Sequence, residues 1–214
     1  LFAVDFSVFL AREATLLVGI ATEVGNHSEA SFWRRVASNV SSHVHSHLWD
    51  EQAGLYADRN ATTARLSAVV ASTALLPLWL DDLPKERLPR LLSALKDPQL
   101  FGTKVPIPSV ARSESTFSTD MWRGPMWVNS NYMIALALID RGARSEAKEL
   151  IEATLGAMQD AYMRLGTIFE FYDADGTHDP RTLMRKGDPT GGVRDYHWSA
   201  ALAFDMILLL RRGL

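Results

Sequence analysis

The chain has 214 residues, 47% of them hydrophobic and 22% charged, which predicts one large or two small domains with a buried core. Its 22 Lys and Arg against 25 Asp and Glu leave a net charge of -3, and no run of five like charges appears, so the electrostatic case for a dedicated nucleic-acid or membrane-surface binder falls away. The lack of any cysteine excludes disulfides, a thiol nucleophile and Cys-ligated zinc or iron-sulfur centres.

Helical spacing of apolar residues dominates from the start. Phe6, Phe9, Leu10, Leu16, Leu17 and Ile20 recur at three- and four-residue steps and predict a helix over Phe2 to Val24, stopped by Gly25 and Asn26. A second helix is predicted from a cap at Ser28 to near Trp49, with Phe32, Trp33, Val36, Val40, Val44 and Leu48 on its apolar face. Within it His43, His45 and His47 lie two apart, a pattern that favours a solvated face over a metal site. Shorter helices are expected over Leu66 to Leu80 and Lys85 to Leu95, bracketed by Pro77, Pro84, Pro89 and Pro98. Trp127 to Asp140, Ser145 to Met163 and Trp198 to Leu210 complete about seven helices.

Strand signals are short: Gly54 to Asp58, Lys104 to Ile107 and Thr167 to Tyr172, none placed to build a sheet of several strands. The expected fold is all-α, with helical hairpins packed side by side as in a solenoid or closed toroid. No apolar stretch reaches the roughly 20 residues of a bilayer span. The chain opens at Leu1 inside an apolar segment with no basic region before it, which argues against a signal peptide and reads as a cut within a longer protein.

Two loops exceed plain connectors: Asp97 to Met126 and Gly166 to His197. Their aromatic content argues for function carried on one face of the helical scaffold. In the first, Trp122, Arg123, Gly124, Pro125, Trp127, Asn131 and Tyr132 combine indole faces with planar hydrogen-bonding groups. A sugar ring needs both, a flat apolar surface for its C–H face and donors for its hydroxyls; core anchors at a helix start are the competing reading. In the second, Glu170 and Tyr172 alternate with Phe169 and Phe171, so an extended segment sets the carboxylate among aromatics. Such a carboxylate suits a general base, and an ordinary surface hairpin with a turn at Asp173 to Gly176 is the alternative. Asp173, Asp175 and Asp179 lack the Gly and Glu positions of a calcium loop, and turn chemistry is expected of them. Asn26, Asn39 and Asn60 head glycosylation sequons, which bear on compartment only in a eukaryotic secretory setting.

The segments Trp122-Arg123-Gly124-Pro125-Met126-Trp127 through Asn131-Tyr132, Glu170-Phe171-Tyr172-Asp173 with Gly176, and Tyr196-His197-Trp198-Ser199-Ala200-Ala201 stand in the order and approximate spacing of glycoside hydrolase family 63, which the chain resembles together with its mannosylglycerate hydrolase-like relatives. Val4-Asp5-Phe6-Ser7, Leu48-Trp49-Asp50-Glu51 with Gly54-Leu55-Tyr56, and Pro106-Ile107-Pro108-Ser109 extend the resemblance over essentially the whole chain, and trehalases look like more distant cousins. The resemblance implies part of an (α/α)6 toroid, with residues 1–214 as the C-terminal part of one catalytic domain that needs its N-terminal part. It implies inverting hydrolysis of an α-glycosidic bond in an oligosaccharide or small glycoside, with no metal or organic cofactor.

Residue by residue it makes Glu170 the general base and places Trp122, Arg123, Gly124, Trp127, Asn131, Tyr132, Tyr172 and Trp198 around the sugar. The family's general acid is an Asp that precedes the Val-Asp-Leu-Asn helix and so is expected upstream of Leu1. Inversion needs acid and base roughly 6.5–9.5 Å apart with water between them, and Asp5 is better explained as a helix cap. Phe171, Ala174, Ser7 and Tyr196-His197 depart from the family pattern. A catalytically inactive glycan-binding domain or a helical scaffold is the alternative function.

Overall fold

The computed structural model describes residues 1–214. The chain divides into two compact units, one of residues 1–69 and 73–91, the other of residues 70–72 and 92–214. No helix is long and apolar enough to cross a membrane.

The first unit is built on a helical hairpin of α1 (Val4–Glu23) and α2 (His27–His47). Gly25 turns the chain at φ +72°, a conformation that only glycine adopts freely. The α2 cap is Asn26, whose side chain accepts from the Glu29 amide, so the start lies two residues before the expected Ser28. On α1, Val4, Val8, Ala11, Ala14 and Ala21 are buried. Three of those five are alanine, which lets α2 approach closely through Ala30, Ser41 and Val44.

At the start of α1, Asp5 accepts only from the adjacent Phe6 amide; the free Val4 amide is met by Asp58 at 2.8 Å, from 54 residues away. The helix is thus capped by tertiary contact, not by the residue that the sequence offers. A two-residue ladder follows, β1 (Trp49–Asp50) antiparallel to β2 (Leu55–Tyr56), turned by Asp50, whose carboxylate accepts from the Gln52 and Ala53 amides.

The histidines of α2 are not uniformly solvated. His45 lies between the Tyr56 hydroxyl at 2.7 Å and Asp82 at 3.1 Å, and His43 stacks on His47. Burial pulls His45 below its ordinary value of 6.5, against the opposing pull of Asp82.

The expected helix over Leu66 to Leu80 is only a 3₁₀ helix, Ser72–Trp79, with Pro77 inside it. Leu66 instead bridges Arg59, and Ala71 bridges Val110. Proline supplies no N–H to an α ladder, and the preceding residues find their backbone partners across the chain. Next comes α3 (Leu88–Lys96), three residues later than its predicted start and with Pro89 in its first turn.

In the second unit β3 (Met126–Trp127) runs directly into α4 (Val128–Asp140), which pairs with α5 (Arg144–Leu165) through a turn at Gly142, φ +77°. Ile134, Ala135 and Leu138 of α4 and Leu150, Ile151 and Met158 of α5 are buried, and Gly166 closes α5 in the left-handed conformation. Then β4 (Phe171–Tyr172) returns antiparallel to β3, and α6 (His197–Arg211) packs on α4 and α5. The strand expected over Lys104 to Ile107 does not form; Val105 instead donates to the Ala174 carbonyl at 2.9 Å.

Candidate active site

The site is assembled on the β3–β4 ladder, where Trp127 is paired with Phe171 and Met126 with Tyr172. Side chains alternate across a strand, so Trp127 and Phe171 share one face. There they join Met121 and Leu183 in a buried cluster. The Trp127 indole N–H donates to the Met121 carbonyl at 2.7 Å, which fixes the ring in its plane. Trp122 then stacks on Trp127 with ring centroids 3.9 Å apart and planes inclined by 4°.

Of the two tryptophans, Trp127 is a core anchor, while Trp122 is 48% exposed and presents an indole face to solvent. Arg123 beside it is exposed. Gly124 is buried, donates to the Ser109 hydroxyl at 2.9 Å, and has no room for a side chain, since a Cβ there would collide with the Ser118 carbonyl oxygen.

Glu170 lies one residue before β4, with its side chain only 6% exposed. Its amide donates to the Val193 carbonyl at 3.0 Å, Phe169 bridges Arg194, and the Tyr196 amide donates to the Ile168 carbonyl. Residues 193–196 thus run antiparallel to the segment that carries Glu170, and they lead straight into Trp198, 48% exposed in the first turn of α6. The Tyr196 and Trp198 rings lie 6.5 Å apart.

The carboxylate itself is held at one oxygen. Oε2 accepts from Arg185 Nη1 and, at 3.4 Å, from the Val193 amide. Oε1 receives no hydrogen bond, yet it is not among the sealed, unsatisfied polar atoms. An anchored oxygen and a reachable one on a buried carboxylate match what a proton-accepting base requires.

Three residues expected at the sugar are turned elsewhere. Asn131 is fully buried: its amide donates to the Pro106 carbonyl and the Thr154 hydroxyl, and its oxygen accepts from the Ile107 amide. It staples the Pro106–Ile107 loop to α4 and α5, because a buried amide must be satisfied within the fold. Tyr172 is likewise buried; its hydroxyl accepts from the Phe169 amide, and burial pushes it up to about 12. Tyr132 donates to Asp205 at 2.5 Å, joining α4 to α6, and burial together with that carboxylate pushes it up to about 12.

The three aspartates after the base point to separate partners. Asp173 closes its own turn by accepting from the Thr177 and His178 amides, both at 2.8 Å, Asp175 pairs with Arg112, and Asp179 pairs with Arg181. Gly176 supports the turn at φ +63°.

Sequence reasoning missed Arg185 as a site residue. Its signal was present only as a cation in a long loop; its pairing with Glu170 depends on a hairpin whose partners lie elsewhere in the chain.

Known proteins share this architecture. The family model of the mannosylglycerate hydrolase MGH1-like glycoside hydrolase domain matches residues 1–199. Mannosylglycerate hydrolase of Rubrobacter radiotolerans is 27% identical over 207 residues, 95% of this chain and 43% of the relative. The enzyme of the same name from Thermus thermophilus is 32% identical over 159 residues, 73% of this chain and 34% of its own length.

Among solved structures, a family 63 mannosylglycerate hydrolase of Thermus thermophilus in complex with glucose superposes with a TM-score of 0.75 at 25% identity, over 94% of this chain and 47% of that one. The neutral trehalase of Saccharomyces cerevisiae shares the fold, with a TM-score of 0.73 at 16% identity over 96% of this chain and 37% of that one. The chain spans less than half the length of these relatives. Its fold class is all-α, that of the (α/α)6 glycosidases. With the family motifs seated on the β3–β4 ladder and the family model covering nearly the whole sequence, the chain belongs to the mannosylglycerate hydrolase-like glycoside hydrolases of family 63.

Proposed function

We propose that the protein hydrolyses an α-glycosidic bond of a small glycoside with inversion, and that Glu170 is the general base. In this reading Glu170 Oε1 takes a proton from water as the water attacks the anomeric carbon. The glycosidic oxygen leaves with a proton from a second carboxylic acid. That acid belongs to a segment outside these 214 residues, so that residues 1–214 form the C-terminal part of one catalytic domain.

The observation that carries the proposal is the divided carboxylate, with Oε2 anchored by Arg185 and Val193 and Oε1 unengaged. Support comes from the Trp122–Trp127 stack on the adjoining strand pair and from Trp198, carried by the segment that pairs with residues 168–170. Trp122, Arg123, Trp127 and Trp198 give the subsite its aromatic and cationic surface. Gly124, Asn131, Tyr132 and Tyr172 shape it from within.

The substrate class is proposed from the relatives, whose names place mannosylglycerate first and trehalose second. Mannose release from mannosylglycerate, with trehalose as the second probe, tests it in the full-length protein. Replacing Glu170 with Gln is expected to lower turnover on the order of 10³-fold while KM changes little. Near wild-type turnover in that variant overturns the base assignment. Proton NMR of the first product formed separates inversion, which yields the β-anomer from an α-glycoside, from retention.

A further inference from the structure

Arg185 belongs to a two-residue hairpin. Its amide donates to the Asp188 carbonyl at 2.7 Å and the Asp188 amide donates back to the Arg185 carbonyl at 3.1 Å. The central residues, Lys186 and Gly187, have φ of +53° and +86°. Two successive positive φ angles define the tight mirror-image turn that reverses a hairpin in the fewest residues. Lysine tolerates that conformation at a steric cost, so the turn is held by its surroundings.

Those surroundings are the segment before the aromatic stack. Met184 donates to the Thr119 carbonyl and accepts from the Met121 amide, both at 3.0 Å, and the Gly187 amide donates to Asp120 Oδ2 at 3.2 Å. Asp120 in turn accepts at its carbonyl from the Arg123 amide at 2.6 Å. One hairpin therefore touches the loop that carries Trp122 and Arg123 along one edge and delivers a guanidinium to Glu170 at its start.

That guanidinium is 31% exposed, and its contact is to the anchored oxygen, Oε2, not to Oε1. The surface pairs Arg112–Asp175 and Arg164–Asp160 also use one carboxylate oxygen; the Arg185 pair differs in that its carboxylate is buried, 6% exposed, and keeps its second oxygen without a hydrogen bond. The contact holds the carboxylate at Oε2 and leaves Oε1 without a hydrogen bond.

We propose that Arg185 is the positioning residue of Glu170: held between Met184 and Gly187, which bond to residues 119–121, it sets the base in register with the aromatic loop. The inference rests on Glu170 being the base and adds the residue that aims it.

The test uses the full-length protein and whichever of mannosylglycerate and trehalose it hydrolyses faster. Misplacing a catalytic group by about 1 Å costs on the order of 10²-fold in rate, so Arg185→Gln is expected to lower kcat by about that factor with KM little changed. Arg185→Lys, which keeps the charge and folds with the same hairpin, is expected to recover part of the loss. In the Glu170→Gln background, Arg185→Gln is expected to cost nothing further, because there is no base left to aim. A raised KM with unchanged kcat, a wild-type kcat in Arg185→Gln, or full additivity with Glu170→Gln would each overturn the positioning role. If Glu170→Gln loses turnover while Arg185→Gln keeps a wild-type kcat, only the positioning role fails; if Glu170→Gln keeps near wild-type turnover, the base assignment itself fails.

Discussion

Asp173 lies three residues beyond the proposed base and shows how a carboxylate so near the site can be structural. Burial favours its protonated form, but the Thr177 and His178 amides, with the Thr177 hydroxyl and the His178 ring, favour the ionised form more, and its carboxyl sits below its ordinary value of 3.8. A depressed folded-state value means the stabilisation is complete above about pH 4 and is lost as pH falls through the folded value. Asp173→Asn is therefore expected to cost about 1–3 kcal/mol at neutral pH. The gap to wild type should narrow in acid, below the ordinary aspartate value, as read from urea midpoints at the two pH values.

The same scale explains why polar residues in a family motif divide into two kinds. Asn131 and Tyr172 are consumed by the fold, whereas Trp122 and Arg123 face solvent. Residue type does not distinguish the two, because an amide or a hydroxyl is equally able to bind a sugar or a neighbouring backbone group.

At the scale of elements, the long helices were legible in the sequence because an amphipathic stripe is a local property. The boundaries of α1, α2, α4, α5 and α6 fall within about two residues of the expected ones, the ordinary uncertainty of helix ends. The strand pairs were half legible: segments containing β2 and β4 were expected, but their partners β1 and β3 were not. A two-residue strand has too few positions to show alternation, and its existence depends on a partner that, for Trp127 and Phe171, lies beyond the whole of α4 and α5.

The turn before β3 depends on packing in the same way. Gly124 lies against the Ser118 carbonyl, and a methyl group driven into that oxygen must displace the backbone that carries Trp122. Gly124→Ala is expected to cost about 1–3 kcal/mol through overpacking and to weaken the Trp122–Trp127 stack. Thermal melting measures the first effect and near-ultraviolet circular dichroism of the tryptophans the second; an unaltered spectrum would show that the backbone yields elsewhere.

At the scale of the whole molecule, apolar surface remains uncovered within each unit. In the first, α1 leaves Phe6, Leu10, Leu16 and Ile20 exposed, spaced so that they fall on one stripe of the helix. In the second, Tyr162 and Met163 of α5 and Phe204 and Ile207 of α6 are exposed. Stripes of this kind mark surfaces that associate. The 214-residue chain on its own is expected to self-associate, with an apparent mass in light scattering that rises with concentration; a strictly monomeric chain across the concentration series would contradict this.

The sequence by itself determined the helical class, the family and the carboxylate proposed as the base. Periodicity is written locally, and the motifs around Trp122, Glu170 and Trp198 are short contiguous strings. Only the tertiary structure decided which motif residues reach solvent, that Asp58 and not Asp5 caps α1, and that Arg185 meets Glu170. Each of these is a pairing between residues distant in the chain. Backbone and charged groups must find partners when buried, but which partner they find is set by how the segments pack.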